Sequence, residues 1–169
     1  MELLLATRSA HKVQEIRTIL SGIPRLTVLD LDDIGLEWRD EEEALEPFDT
    51  FEENARSKAE YFHARTGLPT VADDSGLEVD ALGGAPGVRS KRFAPVEGLT
   101  GHKLDQANNN YLVERLGALE LEKRTGQYVC VAALLGFASQ MIVTRGEARG
   151  LILTEPHGDG GFGYDPYFF

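Results

Sequence analysis

The chain has one cysteine in 169 residues, Cys130, so no disulfide can form within it. That fits a reducing compartment. It has no apolar run near the ~20 residues that a membrane helix needs. Its start, Met1-Glu2-Leu3-Leu4-Leu5, lacks the basic segment and long apolar stretch of a secretory signal, so the cytoplasm is the expected location. Basic residues are scarce: 17 Lys and Arg stand against 28 Asp and Glu, a formal net charge of −11. An excess of that sign argues against nonspecific binding of nucleic acid. It leaves room for a small polyanion, since a divalent ion and a few aimed lysines can reverse the field locally. There is no internal repeat, low-complexity tract or linker, and the length suits one domain.

Strand and helix patterns alternate along the chain. Leu3–Leu5 reads as a buried strand, and Val13, Ile16 and Leu20 recur at helical spacing over 10–21, before Gly22 and Pro24. A second strand is expected at 26–29. The four carboxylates of 40–43 read as an exposed loop. Thr50-x-x-Glu53 forms a capping box that opens a helix to about Arg65, with Gly67 and Pro69 beyond it. Residues 70–72 read as a short strand entering an Asp73-Asp74-Ser75-Gly76 turn, and 77–81 extend beyond it. A helix is expected at 104–116, a central strand at 128–137, and two strands at 141–144 and 148–153. The C-terminal stretch is a Gly-rich loop. Mixed in this order, the elements predict an α/β fold with a mixed sheet.

Four segments could carry chemistry. Thr7-Arg8-Ser9-Ala10-His11-Lys12 lies where a strand meets a helix N-terminus, whose open N–H groups suit phosphate. The alternative is that Ser9 only caps the helix and Lys12 is solvated. Asn54 and Lys58 lie four apart on one helix face and could hold phosphate oxygens, or they could be surface residues. In Asp73-Asp74, neighbouring side chains of an extended segment point to opposite faces, so one carboxylate would face a pocket while the other braces the turn. One Asp here and one Glu from 41–46 would suit Mg²⁺, which takes one or two carboxylates with waters and substrate phosphates. Gly161-Phe162-Gly163-Tyr164-Asp165-Pro166 lets backbone approach a ligand, Phe162 can stack on a base, and Asp165 or the backbone can read its edge. It could also be an aromatic anchor in a tight loop.

The remaining candidates are plainer. His11, His63, His102 and His157 lack zinc-ligand spacing. His63 reads as solvated and His102 as a loop residue, while His157 could line a pocket. Cys130 reads as an inert core thiol. No Gly-x-Ser-x-Gly elbow is present, which argues against a serine hydrolase.

Taken together, these segments resemble the inosine/xanthosine triphosphate pyrophosphatase family. The resemblance runs from Leu5-Ala6-Thr7 and Lys12 through Thr50-Phe51-Glu52-Glu53-Asn54-Ala55 with Lys58-Ala59. It continues at Ala72-Asp73-Asp74-Ser75-Gly76-Leu77, Leu82-Gly83-Gly84-Ala85-Pro86-Gly87-Val88, Asn109-Asn110 with Leu112, and Gly160 to Pro166. The ordered set is far more specific than any one segment.

The resemblance implies an elongated mixed β-sheet flanked by helices, two lobes with a central cleft, and a homodimer. It implies hydrolysis of deaminated purine nucleoside triphosphates to monophosphate and pyrophosphate, with Mg²⁺. Thr7, Arg8, Ser9, Ala10, His11 and Lys12 would cradle the phosphates with Asn54 and Lys58. Asp74 would be catalytic acid/base and metal ligand, Glu46 a second metal ligand, and Ser75 a substrate contact. Phe162, Gly163, Tyr164 and Asp165 would bind the purine.

The chain departs from the family pattern in three ways: Ser9 replaces an Asn, Pro47-Phe48 follows Glu46, and a tail with a Lys and a Ser-His-Arg motif is expected to be missing beyond Phe169. Residues 1–169 are accordingly read as a single domain of this type without that segment. A septum-inhibitor-type (Maf-like) pyrophosphatase for other nucleotides and a noncatalytic nucleotide-binding module are the alternative readings.

Overall fold

The structure is a computed structural model, and it describes residues 1–158 and 160–169. Five strands form one sheet in the order β2-β1-β3-β4-β5. They are β1 (Glu2–Leu5), β2 (Thr27–Leu29), β3 (Thr70–Val79), β4 (Thr125–Leu135) and β5 (Ile142–Leu151). β1 runs parallel to β2, with Leu4 opposite Leu29, and parallel to β3, with Leu4 opposite Thr70. Parallel neighbours need a crossover, and α1 (Ala10–Leu20) supplies it between β1 and β2. β4 and β5 are neighbours joined only by residues 136–141, a connection too short for parallel pairing, so the sheet is mixed. The other long helices are α2 (Phe51–Thr66) and α3 (Gly101–Leu116). The expected α/β architecture is present.

The chain forms two compact units: Met1–Asp74 with Val131–Arg145, and Ser75–Cys130 with Gly146–Phe169. In the first, Leu3, Leu4, Leu5 and Ala6 are buried, as are Phe51, Ala55, Ala59 and Phe62 of α2. Removing each of the two phenylalanines from water contributes about 1.5–3 kcal/mol. The α2 start follows from its sequence, since the Glu53 N–H donates to the Thr50 side chain; such a cap stabilises by about 1 kcal/mol. Its end follows from Gly67, which takes the left-handed conformation at φ 67° and donates to the His63 carbonyl. In the second unit, Leu77, Val79, Leu112, Leu116, Ile152 and Tyr164 form the core. Arg124 is fully buried there and donates to the carbonyls of Ile152 (2.9 Å), Gly117 (3.2 Å) and Leu153 (3.5 Å).

Several local expectations are corrected. Asp73-Asp74-Ser75-Gly76 is not a turn but the middle of β3, which runs unbroken from Thr70 to Val79. The turn-forming composition is overridden by pairing within the sheet, and Asp73, Asp74 and Gly76 are buried. The two expected C-terminal strands are one, β5, continuing through Gly146. Residues Asp40–Ala44, expected as an exposed loop, are largely exposed but form a 3₁₀ turn. Cys130 is exposed between buried Val129 and Val131, because the strand alternates faces through what reads as a uniform apolar run. His63 is half-buried, its Nδ1 2.7 Å from the Leu68 carbonyl. A methyl group on Gly136 would collide with the His63 ring, so the glycine is required there.

Candidate active site

The first unit gathers the charged candidates. β3 presents Asp73 and Asp74, and α2 presents Asn54 and Lys58 from its inner face, the one that also buries Phe51, Ala55, Ala59 and Phe62. Asn54 is only 1% exposed, which excludes the reading of a surface amide. Its Nδ2 donates to Asp74 Oδ2 at 2.9 Å and to the Phe48 carbonyl at 3.2 Å, while its Oδ1 accepts the Phe48 N–H at 3.0 Å. One buried amide therefore orients Asp74 and fixes the segment that follows Glu46. Lys58 Nζ pairs with Glu46 Oε1 at 2.5 Å.

Asp74 is 8% exposed, and burial pushes its pKa above the ordinary carboxylate value, because the charged form loses solvation. Lys58, the Asn54 hydrogen bond and Lys12 act to lower it, while Glu46 acts to raise it. Two ammonium groups and a second carboxylate thus bear on one buried carboxylate within the same unit. The adjacent Asp73 accepts from Lys12 Nζ at 2.6 Å. The two neighbouring carboxylates have different partners, as alternation along a strand requires.

The segment 7–12 is assembled around the start of α1. The Ser9 side chain accepts the Lys12 N–H at 3.4 Å, and Thr7 Oγ1 accepts the Ser9 N–H at 3.2 Å. Ser9 is therefore a helix cap, while Ala10 and His11 are exposed on the first turn. Arg8 has a different task. Its Nε and Nη2 donate to both oxygens of Glu42, at 3.0 and 2.8 Å, and its Nη1 donates to the Leu36 carbonyl at 2.8 Å. The Glu42 bond holds the Arg8 pKa above its ordinary value. Glu42, with a 5% exposed side chain, also lies 3.7 Å from Arg65, so the acidic 40–44 turn is clamped from two sides. No sequence signal distinguished Glu42 from its three acidic neighbours. A cavity of about 670 Å³ opens along α1, lined by Thr7, Arg8, Gln14, Arg17 and Asp30 among others.

The second unit holds the aromatic candidates. In the 161–165 loop, Gly161 has φ +80° and a side chain there would collide with Asp165, while Gly163 has φ +59°. Asp165 closes the loop on itself: Oδ2 accepts the Phe162 N–H at 2.8 Å, and Oδ1 accepts the Tyr128 hydroxyl at 2.7 Å. Tyr164 is buried and its hydroxyl donates to the Ser90 carbonyl at 2.8 Å. Burial pushes the pKa of both tyrosines up, and Asp165 adds to this for Tyr128. Both phenols stay protonated and act as fixed donors. Phe162 is half-buried, and Ser75 lies in β3. His157 is exposed and its N–H donates to the Pro166 carbonyl.

The first unit fits a polyanion, since half-buried cations stand there beside carboxylates, which are hard oxygen donors, and the second unit holds a glycine-framed aromatic loop. Comparison with known proteins agrees. The dITP/XTP pyrophosphatase of Frankia alni is 45% identical over 168 residues, spanning 99% of this chain and 80% of that protein. A dITP/XTP pyrophosphatase of Thermus thermophilus is 43% identical, spanning 100% of this chain and 76% of that one. The solved structure of the Staphylococcus aureus Ham1 protein matches with a TM-score of 0.80 at 33% identity, over 100% of this chain and 81% of that one. The Ham1 family model matches residues 3–169, and the chain belongs to the Ham1 family.

Proposed function

We propose that the chain is a nucleoside triphosphate pyrophosphatase that hydrolyses the deaminated purine nucleotides ITP, dITP and XTP to monophosphate and pyrophosphate, cleansing the nucleotide pool. The observation that carries the reading is the convergence of Lys58, Lys12, Glu46 and Asn54 on buried Asp74. The relatives named dITP/XTP pyrophosphatase support it at 45% and 43% identity.

In the proposed reaction a water oxygen attacks the α-phosphorus while Asp74 accepts its proton. The bond from the α-phosphorus to the bridging oxygen breaks, and the electron pair leaves with pyrophosphate. Lys12 and Lys58 stabilise the charge that grows on the leaving group. Asn54 holds Asp74 in place, and the Thr7–Lys12 segment meets the phosphates. Positioning dominates, because little covalent chemistry is asked of the protein. Asp74 and Glu46 would hold Mg²⁺. The fit is of the right kind: both are hard oxygen donors in one unit, and both bear on Lys58. An open site of one or two carboxylates is what Mg²⁺ takes when substrate phosphates complete its shell. When bound, the ion neutralises phosphate charge and lowers the pKa of water.

Phe162 would stack on the purine, with Gly163, Tyr164 and Asp165 shaping its pocket and Ser75 touching substrate. Hypoxanthine and xanthine present a carbonyl and an N1–H where adenine presents an amine and a bare N1, so donors facing O6 penalise adenine. A cytoplasmic homodimer that binds no nucleic acid completes the proposal. The net charge of −11 supports the last point, and among the described residues no helix is long and apolar enough to cross a membrane.

Pyrophosphate release from ITP with Mg²⁺, compared with XTP, ATP and pyrimidine triphosphates, tests the reading. Turnover of ITP and XTP well above ATP supports it. Preference for pyrimidine nucleotides would favour a Maf-like enzyme, and binding without turnover would favour a noncatalytic module. Sedimentation velocity reads the dimer.

A further inference from the structure

The Asn109-Asn110 pair marks the family resemblance but has no part in the chemistry above. Asn109 lies on α3, 5% exposed, on the face that also buries Asn108, Leu112 and Leu116. Its Nδ2 donates to the Asp105 carbonyl one turn back at 3.0 Å and to the Gly163 carbonyl at 2.8 Å. Two carbonyl acceptors fix the amide orientation, since a flipped amide would set oxygen against oxygen. Its Oδ1 is then buried with no hydrogen-bond partner among the described residues. A buried acceptor without a partner is costly, so an asparagine at this position is not explained by helix stability alone. What the amide gains is the hold on Gly163, whose φ of +59° lies between Phe162 and Tyr164.

The neighbouring amide does separate work. Asn108 donates to the Lys91 carbonyl at 3.1 Å and accepts the Ala94 N–H at 2.9 Å, so it braces the 91–94 segment. Tyr128 and Tyr164 hold the loop at Asp165 and Ser90. Asn109 alone among these side chains grips the loop backbone at its middle, next to Phe162 in the chain.

We infer that Asn109 is a positioning residue for recognition of the base: through the Gly163 carbonyl it sets the backbone that presents Phe162. The inference rests on the proposed role of Phe162 as the purine-stacking residue. It predicts that weakening this hydrogen bond raises KM for purine nucleotides and leaves kcat and the phosphate chemistry unchanged.

The test compares Asn109→Asp, which keeps the shape but removes both N–H donors, with Phe162→Ala and the double variant. Substrates are ITP and ribose 5-triphosphate, which carries no base. The expected result is a KM for ITP raised about tenfold in each single variant, with no further rise in the double variant. For ITP, kcat stays within about twofold, and the ribose triphosphate kinetics are unaltered. Amide hydrogen exchange at 161–165 should quicken in Asn109→Asp while the β1–β3 amides keep their protection. A raised KM in Phe162→Ala with a normal Asn109→Asp would overturn the inference and leave the stacking role standing. No change in Phe162→Ala would remove the stacking role and the inference with it. An equal loss on both substrates would show Asn109 to be merely structural. Should Asn109→Asp not fold, Asn109→Ser, which keeps one hydroxyl donor, takes its place. Failure of both to fold would also overturn the inference, because the residue would then hold the domain rather than the loop.

Discussion

The two units are built from different materials. The first holds ionisable side chains and one buried amide on regular elements: Lys12 on α1, Lys58 and the amide of Asn54 on α2, Asp73 and Asp74 on β3. The second holds an irregular, glycine-framed loop by hydrogen bonds from uncharged donors: Tyr128 to the Asp165 carboxylate, Tyr164 of the loop to the Ser90 carbonyl, and Asn109 to the Gly163 carbonyl. Charge placed on helices and strands is suited to stabilising growing negative charge, where small displacements are costly. A glycine-framed loop is suited to shape, where the aromatic face must sit at the right height. With the roles proposed above, changes in the first unit are expected to act on kcat and those in the second on KM.

The largest effect is expected at Asp74. Asp74→Asn should lower kcat by about 10³-fold or more while circular dichroism stays native, since a proton acceptor is lost. Its stability should move the other way. The folded-state pKa of Asp74 is raised, so between the ordinary carboxylate pKa and that raised value the folded state binds more protons than the unfolded one. Stability therefore falls as pH rises through that window, and ionised Asp74 is destabilising above it. Asp74→Asn should raise Tm at neutral pH, and the gain should vanish below the ordinary carboxylate range in a calorimetric pH series. A Tm gain that persists in acid would detach it from ionisation.

Next in size is Lys58→Met, expected to lower kcat by about 10²-fold with the loss of one charged stabiliser. An effect on KM alone would break the division between the units. Gly161→Ala comes third, with strain of roughly 1–3 kcal/mol at a positive φ. It should raise KM for ITP about tenfold with kcat little altered. Glu42→Gln weakens the charged clamp with Arg8 by about 1 kcal/mol. That should lower Tm by about 2–4 °C in a thermal melt. Smallest of all is Cys130→Ser: an exposed strand residue with no role in either unit should change stability by less than about 0.5 kcal/mol.

The legibility of the sequence followed the same division. α2 could be read closely, because Thr50, Glu53 and Gly67 act locally, and the i, i+4 spacing by itself puts Asn54 and Lys58 on one face. What local pattern could not tell was that this face is the inner one. The Asp73-Asp74-Ser75-Gly76 turn misread composition: these residues favour turns in isolation, yet pairing within the sheet draws them into β3. Cys130 misled in the opposite sense, since a continuous apolar run hides the alternation that turns every second residue outward. Glu42 and Asn109 were illegible as working residues, because their partners Arg8 and Gly163 lie far away in sequence. The loop glycines were recognised as permissive, but the engagement of Asp165 by Tyr128 and Phe162 is a matter of tertiary placement that no local pattern encodes.

Arg124 has a consequence of another kind. Burial pulls the Arg124 pKa below its ordinary value, yet a guanidinium starts from so high a value that it stays protonated at neutral and acid pH, so the interior of the second unit carries a positive charge held by three carbonyl dipoles. Acidification therefore cannot switch that anchor off, and the chain ahead of the 161–165 loop, at Ile152 and Leu153, keeps its mooring as the pH falls. Lysine could not substitute, since one ammonium cannot span three oxygens that a flat fork reaches together.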